Sequence, residues 1–138
     1  MIKNCSLCNA INETDNIISI TEHSFCVVAK QPIKDGHLVI VPKRHVTNMN
    51  DLTDSELIDY IHLAEKINSA LEKNYEDKPL LVIQSPTYRS VPEHLHIQIV
   101  PSKVGVRDYY NSVEKIPLHQ DSSDEEMKQM CDKIKKFL

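Results

Sequence analysis

Short apolar runs separated by polar turns fill the first hundred positions of the chain. Ile17 to Ile20, Phe25 to Ala29, Leu38 to Val41 and Leu80 to Ile83 are runs of strand length. A fifth stretch, His94 to Val100, alternates polar and apolar residues with the period of two that a half-buried strand requires. Gly36 suits a tight turn leading into the third run, and Pro42, Pro79 and Pro101 bracket strands where a missing N–H is tolerated. Two segments carry helical spacing instead. Thr53-Asp-Ser-Glu56 is a capping box, followed by Leu57, Ile61, Ala64, Ile67 and Leu71. Ser123-Asp-Glu-Glu126 opens a second helix with Met127, Met130, Cys131, Ile134 and Phe137 on one face. Strands interrupted by single helices predict an α+β fold: a largely antiparallel five-stranded sheet, one long central helix and a C-terminal helix.

Composition narrows the chemistry. At 138 residues the expectation is a single domain spanning positions 1–138. Only two glycines are present, Gly36 and Gly105, which excludes the Gly-rich phosphate loop and the dinucleotide turn. A net charge of −4 disfavours a basic nucleic-acid surface. The N-terminal MIKNCSLCNA lacks the apolar core of a signal peptide and no run approaches a membrane span, so the expected setting is the cytoplasm. Cys26 and Cys131 fall on apolar faces and read as small core residues, whereas Cys5-Ser-Leu-Cys8 reads as half of a zinc site or a redox pair. The redox reading needs a strand-to-helix setting, which the first ten residues do not offer.

On a strand, His94, His96 and Gln98 project from one face and Leu95, Ile97 and Ile99 from the other. Same-face neighbours stand roughly 7 Å apart. That row suits a phosphate: one imidazole attacks phosphorus while its neighbours hold the non-bridging oxygens. The alternative is a half-buried strand with an ordinary polar face. His23, His62 and His119 read as turn, helix-surface and loop residues.

These motifs together resemble the histidine triad (HIT) superfamily, whose signature is three histidines alternating with apolar residues. Cys5 to Cys8 is similar to its N-terminal Cys-x-x-Cys, and Gly36-His37 through Pro42-Lys43-Arg44-His45 to its Gly-His and Pro-Lys-x-His segment. Thr53 to Lys73 falls where its long helix does, and Ser90-Val91 precedes the histidine strand as in the family. The resemblance implies that His96 is the nucleophile, forming a nucleotidyl-histidine at the α-phosphate, with a main-chain carbonyl on the same strand holding its second ring nitrogen. It places His94 and Gln98 beside it in the catalytic set. Ser90, Gln84, Arg89 and His37 fall to substrate binding, and Cys5, Cys8, His45 and His94 to a structural zinc ion. It further implies a homodimer acting on a nucleotide or nucleotide conjugate: a dinucleoside polyphosphate, a nucleoside phosphoramidate or a nucleotide sugar.

The third triad position is Gln98, as in the family's transferase branch. Glutamine donates a hydrogen bond but releases no proton to a leaving group, so substrates with good leaving groups suffer least. Val28, Ala29 and Lys30 stand where the hydrolase branch carries an acidic residue for the ribose, and Arg89 replaces a glutamine. These departures open a second reading, a nucleotide-binding module with little catalysis. A third is a zinc-stabilised interaction domain.

Overall fold

The computed structural model describes residues 4–83 and 94–138. It falls into two compact units, Met1–Lys103 and Val104–Leu138. The first holds helix α1 (Ser6–Ala10), strands β1 (Ile17–Ile20), β2 (Ser24–Val28) and β3 (Leu38–Pro42), helix α2 (Asp54–Asn74), and strands β4 (Lys78–Val82) and β5 (Ile97–Ser102). The strands form one sheet in the order β1-β2-β3-β5-β4, every neighbouring pair antiparallel. The second unit holds α3 (Val106–Glu114) and α4 (Asp124–Lys135). Among the described residues no helix is long and apolar enough to cross a membrane.

Strand alternation gives the sheet two apolar faces. Cys26, Leu38, Ile40, Leu95, Ile97 and Ile99 pack against Tyr60, Leu63, Ala64, Ile67 and Leu71 of α2. Phe25, Val27, Val39 and Val41 form a second cluster with Ala10 of α1, flanked by Leu7, Ile11 and Ile17. The buried stripe of α2 is thus centred on Tyr60 and Leu63, and Ile61 lies outside it, exposed. The Tyr60 hydroxyl donates to Ile40 O at 3.3 Å, so its one polar atom is satisfied inside the core.

The α2 start is fixed as the sequence predicts. Thr53 accepts from the Glu56 N–H, and the Glu56 carboxylate accepts from the Thr53 N–H at 2.8 Å. Arg44 donates to both Glu56 oxygens, at 2.8 and 2.7 Å, and together with the Thr53 N–H it draws that carboxyl down to about 2. Replacing Thr53 by alanine is expected to cost about 1 kcal/mol, read from the midpoint of urea unfolding at unchanged slope.

Gly36 sits at φ +86°, and a Cβ there would lie 2.7 Å from Pro101 Cγ and 2.9 Å from Tyr75 Cζ. Conformation and space both require glycine at this turn, which delivers His37 to the start of β3.

Two expectations are corrected. Cys131 is exposed, as are Met127, Met130 and Ile134 of α4 and Phe137 just beyond its end. Helical periodicity marks a stripe that could be buried, and within α4 nothing covers it. The second concerns the histidine strand, whose ladder begins only at Ile97. Leu95 N–H donates to Val46 O at 2.7 Å and His94 is committed to other partners, so 94–96 form an irregular lead-in. Its alternation persists: Leu95 still packs on the α2 face.

Candidate active site and metal centre

His96 leads directly into β5, half-buried, with its ring on the α1 face of the sheet. Its Nδ1–H donates to the main-chain oxygen of His94 at 2.8 Å. That bond fixes the tautomer and leaves the ring's lone pair on Nε2. His96, Gln98 and His37 line a cavity of about 420 Å³. Its apolar wall comes from Leu7 and Ala10 of α1 and Val27, Val28 and Val39 of the sheet, and Glu13 and Lys30 also line it. The Lys30 ammonium lies 2.8 Å from Glu13 and holds that carboxyl below the usual range.

His37 is buried, and both ring nitrogens are engaged. Ile33 N–H donates to Nδ1 at 3.0 Å, and Nε2–H donates to Gln98 Oε1 at 3.0 Å. Burial pushes its pKa down, only partly opposed by the Gln98 contact, which favours the neutral ring this pattern needs.

Behind His96 the chain turns His94 the other way along its ring. His94 Nε2–H donates to Pro42 O at 2.9 Å, which leaves Nδ1 as the unprotonated nitrogen. Nδ1 stands 3.4 Å from Cys5 Sγ and 3.5 Å from Cys8 Sγ. His45 Nδ1 lies 3.3 Å from Cys8 Sγ, and its ring meets that of His94 edge-on with centroids 4.7 Å apart. The four ligand atoms all lie within 4.8 Å of one another. Thiolate and imidazole donors around a tetrahedral zinc ion stand about 3.6 Å apart, so the spacing fits such an ion. The donor set fits too, since the Pro42 carbonyl holds the His94 ring in the tautomer a metal needs. Burial drives His94 down to about 4 and pushes the Cys5 thiol up. A buried pair of thiols facing two imidazoles is a donor set that a soft divalent cation could take, its thiols deprotonating on binding. Cys5 reaches this position because its Sγ caps α1, accepting the Cys8 N–H at 3.4 Å.

The structure therefore brings His96, Gln98 and His37 together at one cavity, and Cys5, Cys8, His45 and His94 at a second cluster beside it. Gln84, Arg89 and Ser90 lie outside the described residues. The cavity's α1 wall and the Glu13–Lys30 pair were not singled out from sequence, because ends that meet across 17 positions leave no local pattern.

A model of the HIT domain matches residues 11–105. The nitrilase and fragile histidine triad fusion protein NitFhit of Caenorhabditis elegans is 37% identical over 93 residues, 66% of this chain but only 21% of that protein. The bis(5'-adenosyl)-triphosphatase of Dictyostelium discoideum is 34% identical over 105 residues, covering 72% of this chain and 70% of its own. A HIT family protein from Bacillus subtilis superposes with a TM-score of 0.72 at 22% identity, over 99% of this chain and 98% of that one. Its likeness is one of fold, the sandwich of sheet and helix described above. Sequence match and fold agree over the segment that carries His37, His45, His94, His96 and Gln98, and the chain belongs to the HIT domain family.

Proposed function

We infer that the protein cleaves nucleotide conjugates at the α-phosphate through a nucleotidyl-histidine on His96. The observation that carries this reading is the His96 ring, held by the His94 carbonyl at 2.8 Å with its lone pair on Nε2, at the wall of a 420 Å³ cavity. Nε2 forms the bond to phosphorus as the bond from phosphorus to the bridging oxygen breaks, and the electron pair leaves with the departing phosphate chain. Gln98 stands beside the reacting centre as a donor to a non-bridging oxygen. Water or a phosphate-bearing acceptor then attacks phosphorus, the N–P bond breaks, the ring's electron pair returns to Nε2, and where water is the acceptor its proton passes to solvent. The apolar wall formed by Leu7, Ala10 and Val39 suits a base, and Glu13 is the carboxylate available to ribose hydroxyls.

A dinucleoside polyphosphate is the substrate class this chemistry favours over a phosphoramidate or a nucleotide sugar. Its leaving group is a weakly basic phosphate that departs without a proton, and Gln98 has none to give. The names of the relatives, bis(5'-adenosyl)-triphosphatase among them, support the same class. Gln84, Arg89 and Ser90 are assigned to phosphate and nucleotide contacts by the family resemblance. A structural zinc ion would be held by Cys5, Cys8, His45 and His94, linking segments up to 89 positions apart and supplying no reacting group. A thiolate site of this kind calls for a reducing compartment, which supports the cytoplasm. The exposed Leu81, Val82 and Ile83 at the β4 edge, beside Ile61 of α2, support a homodimer.

Incubation with bis(5'-adenosyl) triphosphate, followed by rapid quench in alkaline denaturant, which preserves an N–P bond, and mass spectrometry, is expected to show a protein species heavier by one adenylyl group, together with free AMP. Reversible nucleotide binding with neither adduct nor product overturns the enzyme reading in favour of a binding module.

A further inference from the structure

The third triad position raises a question of orientation. A glutamine amide has one accepting and one donating end, and only the donating end helps an anionic phosphate. A side chain free to rotate would present the wrong end part of the time, setting an oxygen lone pair against phosphate oxygens.

The hydrogen bonds at His37 remove that freedom. Ile33 N–H is a fixed donor, so the Nδ1 it reaches, at 3.0 Å, must be the unprotonated nitrogen of His37. The proton of the neutral ring is then on Nε2, which makes Nε2 a donor to Gln98 at 3.0 Å. A donor demands an acceptor, so the amide atom facing His37 is Oε1. The amide N–H₂ is left as the group that Gln98 offers the cavity it lines. One backbone N–H in the loop before β3 therefore dictates, through two hydrogen bonds, which end of a side chain on β5 meets substrate. The relay is buried at His37, 5% exposed, where desolvation keeps the ring neutral and the polarity of the chain unambiguous.

We propose that His37 is a positioning residue: it locks Gln98 with the amide N–H₂ toward the reacting phosphate and makes the third triad position a one-way donor. This assignment rests on the nucleotidyl-transfer reading above and moves His37 from substrate contact to support of Gln98. Both nitrogens being committed within the protein, the ring acts on the phosphate only through the glutamine.

The test is a double-mutant cycle in dinucleoside polyphosphate cleavage, with H96A run beside it. Q98A should lower kcat on the order of 10²-fold, the usual effect of losing one preorganised donor to a developing charge. H37A should approach that loss in kcat while KM changes little, because a misoriented amide harms the transition state more than ground-state binding. The double variant should be no slower than Q98A alone. A glutamine at 37 can set an amide nitrogen near the position of Nε2, whereas the shorter asparagine cannot, so H37Q should recover much of the activity that H37N loses. Losses that multiply in H37A/Q98A overturn the proposal. So does H37Q as slow as H37N, a comparison that holds even where H37A fails to fold. A lesion confined to folding would lower the active fraction of each His37 variant without this selective coupling to Gln98. If H96A itself turns over normally, the nucleotidyl-histidine reading falls. If H96A is inactive and the cycle is additive, only the role of His37 falls.

Discussion

Replacing His96 by alanine is expected to lower turnover of a dinucleoside polyphosphate by at least about 10⁴-fold, with the fold intact. The size follows from what the ring does. A nucleophile that forms a covalent intermediate cannot be replaced in part by its neighbours, and losing one commonly leaves only what binding and oxyanion stabilisation still provide. Neither neighbour can take over. His37 has both nitrogens committed, to Ile33 and Gln98, and His94 turns its nitrogens to Pro42 and to the cysteine pair. The stability cost should be small, since His96 is half-buried at a cavity wall and lies outside both apolar clusters. Steady-state cleavage measured by chromatography of the products, beside thermal unfolding of the same preparation, separates the two effects. Turnover within tenfold of the parent protein, or an adenylyl adduct still formed by H96A, would exclude His96 as the nucleophile.

Much of this arrangement was legible in the sequence, for identifiable physical reasons. The α2 capping box is local: Thr53 and Glu56 lie three residues apart, and the hydrogen bonds that define it follow from that spacing. The faces of β5 were legible because alternation is a property of the chain itself, and it survives even where the ladder has not begun, so that Leu95 faces α2 while His96 and Gln98 face the cavity. The meeting of Cys5 and Cys8 with His45 and His94 was different. Nothing local couples residues so far apart, and only the family resemblance pointed to that set. The relay from Ile33 through His37 to Gln98 was out of reach altogether, because it depends on a tautomer and on a contact spanning 61 positions. So was helix α3, whose start has no side-chain cap stronger than Asp108 on the Gly105 N–H. Cys131 misled for the converse reason: an apolar stripe states what a helix could bury, and its cover is not encoded in its own residues.

The second large effect concerns the cysteine–histidine cluster. The protein as purified is expected to carry one zinc ion per chain, and stripping it with a chelator should lower Tm on the order of 15 °C. With free zinc a thousandfold above its dissociation constant, binding to the folded state alone contributes about 4 kcal/mol. A domain of this size loses a few degrees for each kcal/mol. The structure gives reasons to expect at least that. Cys5, Cys8 and His94 are buried, so with no cation they hold desolvated thiols and an imidazole against one another. The cluster also ties α1 to the end of β3 and to the lead-in of β5, and the second apolar cluster depends on α1 lying where it does. C8S should reproduce the fall in Tm and weaken the thiolate-to-metal charge-transfer absorption seen on cobalt substitution, because only Cys5 is left as a thiolate and serine is a poor ligand at a sulfur site. Turnover should fall as well, through position alone: the carbonyl that orients His96 belongs to His94, and a ring released from the cluster no longer fixes its own backbone. Metal content near zero in protein purified without chelator, or a Tm that chelation leaves unchanged, would show that the cluster is closed by hydrogen bonds between thiols and imidazoles.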